Sequence, residues 1–231
     1  MSAPYLRRRG RLTRGQARAI AEHGPRAIVP AVGPVDWDAR FGRQAPIGLE
    51  IGFGAGGALL DWAEAEPGFN LVGIDVYRPG IGALLAGRAE RGIEHLLVIE
   101  ADANDALETM FRPESLTEVR IFFSDPWPKK RHHKRRLIQK PFVALLADRL
   151  VSGGRLRLAT DWEDYAEWML EVLEAERRLA NDCGGFAERF AGRPVTRFEA
   201  RGQELGHPVW DLSYVKRTPL RPTRPLTGTP G

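Results

Sequence analysis

The sequence is poor in sulfur. Its 231 residues include one cysteine, Cys183, and three methionines. One thiol closes no intrachain disulfide and cannot form a thiolate zinc site alone. That implies a reducing compartment, the cytoplasm, with Cys183 expected as a buried, inert side chain. No run of about 18 apolar residues occurs, so no transmembrane helix is expected and no membrane is implied as a partner. The N-terminal stretch MSAPYLRRRGRLTRGQ lacks an apolar core segment and does not read as a secretory signal. No internal repeat is present. His132 and His133 adjoin, but no third ligand follows at a spacing that suits zinc, so no metal is expected.

Charge is abundant and almost balanced. There are 34 Lys and Arg against 30 Asp and Glu, for a formal net charge of +4. The distribution is more telling than the total. Residues 1–26 hold seven arginines and one acid, Glu22, while residues 129–136, KKRHHKRR, hold six formal positive charges and no negative one. Segregated basic patches on a nearly balanced chain point to a polyanionic partner, nucleic acid above all.

The length suits one α/β domain with a sizeable core. Residues 1–45 read as a basic arm and a loosely structured lead-in rich in Gly, Pro and Ala. From Pro46 onward, short apolar runs alternate with stretches of helical spacing. Strands are predicted at 47–52, 70–76, 95–101, 119–124 and 155–160. Helices are predicted at 57–66, 81–91, 106–111, 137–150 and 163–180, with Gly153 and Gly154 stopping the fourth. This alternation implies a parallel sheet with helices on both faces. After Gly184 and Gly185 the pattern changes. Residues 195–199 and 209–217 look like strands without a long helix between them, and they are predicted to pair antiparallel at the sheet edge. The domain is thus placed at 46–217, followed by a Pro-rich tail over 218–231 with nothing to bury.

Open parallel sheets bind ligands beyond the carboxyl ends of their strands. Glu50, Asp75, Asp102, Asp125 and Asp161 lie at or next to that end of the five predicted strands. A lone Asp there commonly caps a helix. Five acids together favour a ligand with positive charge and many hydrogen-bond donors. The loop GFGAGG places Gly52, Gly54 and Gly57 at the spacing of a nucleotide-binding turn, and Asp75 follows Gly57 by 18 residues, near the spacing of a ribose-binding acid. A nicotinamide enzyme and a methyltransferase both need these features. Glu50 separates them: a carboxylate there repels a pyrophosphate and attracts the ammonium and sulfonium of S-adenosylmethionine. Asp102 or Asn104 is placed near the adenine.

The segment SDPWPKKRHHKRR follows the fourth strand. Two prolines bracket Trp127 and restrict the backbone. The reading is a rigid elbow that stacks Trp127 on a base, sets Asp125 against donors on that base, and lets the basic run track phosphates.

LEIGFGAGG, FFSDPWPKKRHHKRR, ATDWEDYAEWM and VTRFEARGQELGHPVWDL together resemble the bacterial tRNA (guanine-N7)-methyltransferase family, as does RRRGRLTRGQ near the start. The resemblance implies a Rossmann-like class I methyltransferase fold, a mostly parallel seven-stranded sheet with an antiparallel edge pair and helices on both faces. It implies that Glu50, Gly52, Gly54, Asp75, Asp102, Asn104 and Asp125 bind S-adenosylmethionine, with Asp125 also catalytic. Lys129, Asp161, Thr196, Arg197, Phe198 and Glu199 would contact the target nucleotide. Arg131, His132, His133, Lys134, Arg135 and Arg136 would contact RNA. The substrate it implies is the guanine at position 46 of the tRNA variable loop, methylated by a monomer or homodimer in the cytoplasm. The alternatives are a nicotinamide-dependent oxidoreductase and a non-catalytic RNA-binding module on the same fold.

Overall fold

A computed structural model describes residues 10–193 and 208–218. The first helix, α1 (Arg14–Ala27), starts within the stretch read as a lead-in. Its start is a capping box: Thr13 Oγ1 accepts from the Gln16 amide at 3.2 Å, and Gln16 Oε1 accepts from the Thr13 amide at 2.9 Å. The T-x-x-Q signature was legible, but Gly15, Gly24 and Pro25 disguised the helix behind it. α2 (Trp37–Phe41) follows.

Five strand–helix units come next. They are β1 (Ile47–Ile51) with α3 (Gly57–Ala65), β2 (Asn70–Ile74) with α4 (Arg78–Glu90), β3 (Leu96–Ile99) with α5 (Ala103–Met110), β4 (Leu116–Phe122) with α6 (Lys140–Arg149), and β5 (Leu150–Thr160) with α7 (Glu163–Glu174). Between β4 and α6 the basic run forms a 3₁₀-helix over Lys130–Arg135. Among the described residues β6 (Leu179–Asn181) and β7 (Trp210–Lys216) follow.

Among the described residues seven strands lie in the order β3-β2-β1-β4-β5-β7-β6, with β7 antiparallel to both β5 and β6. This is the expected sheet, with one difference at its edge. The residues read as the end of a helix reaching 180 are strand β6. α7 stops at Glu174, Glu176 Oε1 accepts from the Arg178 amide at 3.1 Å to turn the chain, and Asn181 Nδ2 donates to Glu174 Oε1 at 3.1 Å. Leu179 suits a helix face or a strand equally, and the unpaired edge of β7 decides for the strand. The expected strand at 195–199 lies outside the described residues. Gly153 and Gly154 belong to β5 rather than to a helix stop, because the helix already ends at Arg149.

One face of the sheet carries α5, α6 and α7 over a core that includes Leu49, Val72, Val119, Ile121, Leu158 and Tyr165. The other carries α1, α3 and α4 over Leu71, Val98, Leu59 and Leu84. α1 docks on α4 through Gly82, where a Cβ would come within 2.8 Å of the Gln16 carbonyl. Cys183, expected buried, is exposed. It lies in the bend just beyond β6, the strand at the end of the sheet order.

Candidate active site

The parallel strands point their carboxyl ends to one edge of the sheet. That brings Glu50, Asp75, Asp102, Asp125 and Asp161 to the same side of the molecule, as strand periodicity alone predicted.

Glu50 lies within β1, 3% exposed, and its Oε2 has no hydrogen-bond partner. Burial pushes its carboxyl up to about 8, with Asp75 and Asp61 adding to the rise and Arg120 opposing it. Arg120 is the register partner of Glu50 on β4. It is buried over the Trp62 ring at 3.5 Å, and its Nε donates to Glu118 Oε1 at 2.6 Å. A buried carboxylate whose nearest cation is already engaged suits a cationic ligand. Arg120 carries no sequence signal, since an arginine inside a strand reads as an exposed position.

The glycine loop takes left-handed backbone at Gly52 (φ 73°), Gly54 (φ 57°) and Gly56 (φ 82°). No heavy atom lies within 4 Å of a Cβ built on Gly52 or Gly54, so the loop borders open space where a ligand can approach the backbone. Asp75 fixes the loop: its Oδ2 accepts from the Gly54 amide and its Oδ1 from the Tyr77 amide, each at 2.9 Å. A carboxylate at this place, bound to the backbone of the glycine loop, is of the chemical type that accepts from hydroxyl groups. Asp102 is the N-cap of α5, its Oδ1 accepting from the Asn104 amide at 2.9 Å. The cap that explains such an acid in general is real here, and it leaves Oδ2 for other partners. Asn104 lies half-buried in the first turn of α5. Asp161 is exposed and is not a cap, because the N-cap of α7 is Trp162.

Asp125 is exposed and sits in a stretch with left-handed backbone at Phe123 (φ 53°) and Trp127 (φ 44°). Such conformations cost roughly 1–3 kcal/mol each and persist where the surroundings over-determine them. Trp127, read from the sequence as stacking on a base, is half-buried and has neighbours of its own. Arg135 lies over its ring at 5.0 Å, His132 meets its edge at 5.8 Å, and its indole nitrogen is buried without a partner. Residues of the 3₁₀-helix thus meet the ring at one face and one edge. Trp162, next to Asp161, is the aromatic side chain left 42% exposed at this edge.

The basic run divides by exposure. Lys129, Lys130, Arg131 and Lys134 face solvent, while His132, His133 and Arg135 are half-buried. Desolvation and the charges of Arg135, Arg131, Lys129 and Lys134 hold His132 below the usual imidazole range. Arg136, expected to contact RNA, does not reach the surface. Its side chain is 1% exposed, its Nε donates to the Pro126 carbonyl at 2.9 Å, and its guanidinium pairs with Asp164. A guanidinium already holding a carbonyl and a carboxylate in the interior has no access to a phosphate. Thr196, Arg197, Phe198 and Glu199 lie outside the described residues.

Among the described residues, no helix is long and apolar enough to cross a membrane, and no three His, Cys, Asp or Glu are grouped to hold a metal ion. A Rossmann-like sheet with acids at every parallel strand end and a glycine loop beside a buried carboxylate defines a class I S-adenosylmethionine-dependent methyltransferase. The fold is similar to that of the 16S rRNA methyltransferase KamB, with a TM-score of 0.55 at 18% identity over 78% of this chain and 94% of that one. It is also similar to the aminoglycoside resistance methyltransferase NpmB1, with a TM-score of 0.52 at 15% identity over 78% and 91%.

A family model described as "Putative methyltransferase" matches residues 44–212. The tRNA (guanine-N(7)-)-methyltransferase of Burkholderia vietnamiensis is 53% identical over 214 residues, which span 92% of this chain and 84% of that protein. The enzyme of that name from Thiobacillus denitrificans is 51% identical over 92% of this chain and 94% of its own length. The chain belongs to the tRNA (guanine-N(7)-)-methyltransferase family. The nicotinamide alternative falls with that.

Proposed function

We propose that this chain transfers the methyl group of S-adenosylmethionine to N7 of the guanine at position 46 in the tRNA variable loop. The observation that carries the reading is the buried, unpartnered Glu50 Oε2 beside left-handed glycines, at the strand edge that also holds the Asp-Pro-Trp elbow and the exposed lysines. A cation-accepting pocket next to a phosphate-tracking surface fits a sulfonium donor and a polyanionic acceptor.

The residues fit the donor. Glu50 takes its positive end, Gly52 and Gly54 allow close backbone approach, Asp75 accepts from the ribose hydroxyls, and Asp102 with Asn104 borders the adenine. When bound, S-adenosylmethionine supplies an electrophilic methyl group. Guanine N7 already carries a lone pair, so no residue has to remove a proton from it. The protein's task is alignment and exclusion of water. Positive charge passes to the purine as the methyl moves, and Asp125 with Asp161 stabilises it there. Asp125 therefore orients and stabilises rather than deprotonates. Trp162 offers the open aromatic face for the base, and Lys129 with Arg131 and Lys134 meets the phosphates. The half-buried His132, His133 and Arg135 border that track, and Thr196–Glu199 completes the nucleotide site. We infer a cytoplasmic enzyme, monomer or homodimer, acting on tRNA.

The test is incubation of unmodified tRNA with S-adenosylmethionine, followed by chain cleavage at 7-methylguanine. Cleavage at position 46 is expected. Methyl transfer to another base or another atom overturns the specific assignment. At saturating substrates kcat is expected to stay flat between about pH 6 and 8.5, because no general base is required. A rate limb in that range that disappears in Asp125→Asn overturns the orienting role.

A further inference from the structure

The basic run ends in a side chain that turns inward. Arg136 lies within the fold, its guanidinium 5.1 Å from the Tyr165 ring centroid and 5.3 Å from that of Trp168. Its Nε donates to the carbonyl of Pro126, the residue after Asp125, and its Nη2 holds Asp164 in the first turn of α7. The residue before Asp125 is tied to the same turn. Ser124 Oγ lies 3.2 Å from the Tyr165 hydroxyl, which also accepts from the Ile138 amide at 3.3 Å. Trp168 Nε1 donates to the Ile138 carbonyl at 2.7 Å. Both chain neighbours of Asp125 are thus anchored to α7 and to residues 136–138, across a stretch whose left-handed residues need outside support.

We propose that Arg136, Asp164 and Tyr165 form a positioning set that fixes Asp125 for methyl transfer, so that the last arginine of the run acts through the loop and not on RNA phosphate. This rests on the reading of Asp125 as the residue facing the target base. Lysine cannot replace Arg136, because one ammonium does not reproduce a planar fork spanning the Pro126 carbonyl and the Asp164 carboxylate. Asp164 is 60% exposed at its side chain, so it can be altered without emptying the core.

The experiment measures two quantities on the full chain: kcat at saturating tRNA and S-adenosylmethionine, and the salt dependence of the tRNA dissociation constant. Arg136→Lys is expected to lower kcat about tenfold or more, since small misplacements of a reacting group are costly. Asp164→Asn is expected to lower kcat less, and the double variant to be no slower than Arg136→Lys alone, the non-additivity of one shared contact. The salt slope stays at the wild-type value in all three. Lys134→Ala, an exposed cation, is the reference for a phosphate contact and should reduce that slope by about one. If Arg136→Ala, or Arg136→Gln should the alanine variant not fold, also reduces the slope by about one, Arg136 is a phosphate contact and the positioning role is overturned. Full kcat in Arg136→Lys and Asp164→Asn, with kcat lost in Asp125→Asn, overturns the positioning set alone. Full kcat in Asp125→Asn overturns the reading of Asp125 on which it rests.

Discussion

Glu50 is an acid buried at the strand edge, and its environment sets a pH dependence. Its carboxyl is raised from an ordinary 4.5 to about 8, mainly by burial. Between those values the folded protein keeps a proton that the unfolded chain gives up, so stability falls as pH rises through the window and the loss is complete above it. Glu50→Gln removes that loss. Without donor present, the glutamine variant should melt a few degrees above the wild type at pH 8.5 and at nearly the same temperature near pH 4.5. Thermal denaturation at both pH values checks this. An equal offset at both would mean that packing, not charge, separates the variants. On the proposed role of Glu50, binding of the cationic donor draws it to its ionised form. Titration calorimetry near pH 7 in buffers of different ionisation enthalpy should then show release of about one proton.

The elements hold the site by close approach of backbone. Gly80, near the start of α4, faces the glycine loop so tightly that a Cβ would sit 2.0 Å from the Gly54 carbonyl oxygen. Neither partner is a flexible side chain, so the helix and the loop must part. Gly80→Ala is expected to cost roughly 1–3 kcal/mol in urea denaturation and to weaken S-adenosylmethionine binding. Unchanged donor affinity in the variant would show that the loop tolerates the displacement. α1 depends on a different device. Thr13→Ala removes the capping box at its start and should cost about 1 kcal/mol, read from the same denaturation midpoint, with no change in donor affinity. The strand–helix units were legible because apolar residues recur every second position in strands and every third or fourth in helices. α1 and β6 were not. One is disguised by glycine and proline, and the other takes its state from an open strand edge rather than from its own residues.

At the scale of the whole molecule, charge is sorted by place. Four cations of the basic run, Lys129, Lys130, Arg131 and Lys134, remain exposed beside the strand-end acids. Phosphate contacts by these four alone give a plot of log Kd against log salt with a slope of magnitude roughly 3 to 4. Fluorescence anisotropy with tRNA at several salt concentrations measures it. A slope near 1 would remove the run from the RNA interface. In the proposed function the two partners are separated by the sign of charge each one meets, acids at the strand ends and cations on the run.

The sequence by itself determined the five strand–helix units, the sheet edge at which the acids gather, and the family. Each follows from residues close together in the chain, through side-chain periodicity, loop length or a contiguous motif. Tertiary structure alone decided which charges serve the site and which serve the fold. Arg136 belongs to a basic motif, yet it is buried because Asp164, 28 residues later, and the Pro126 carbonyl meet it inside the protein. Arg135 lies over the half-buried Trp127, and Trp162 is left 42% exposed. A burial of this kind depends on which distant groups arrive beside a side chain, and local spacing carries no record of that.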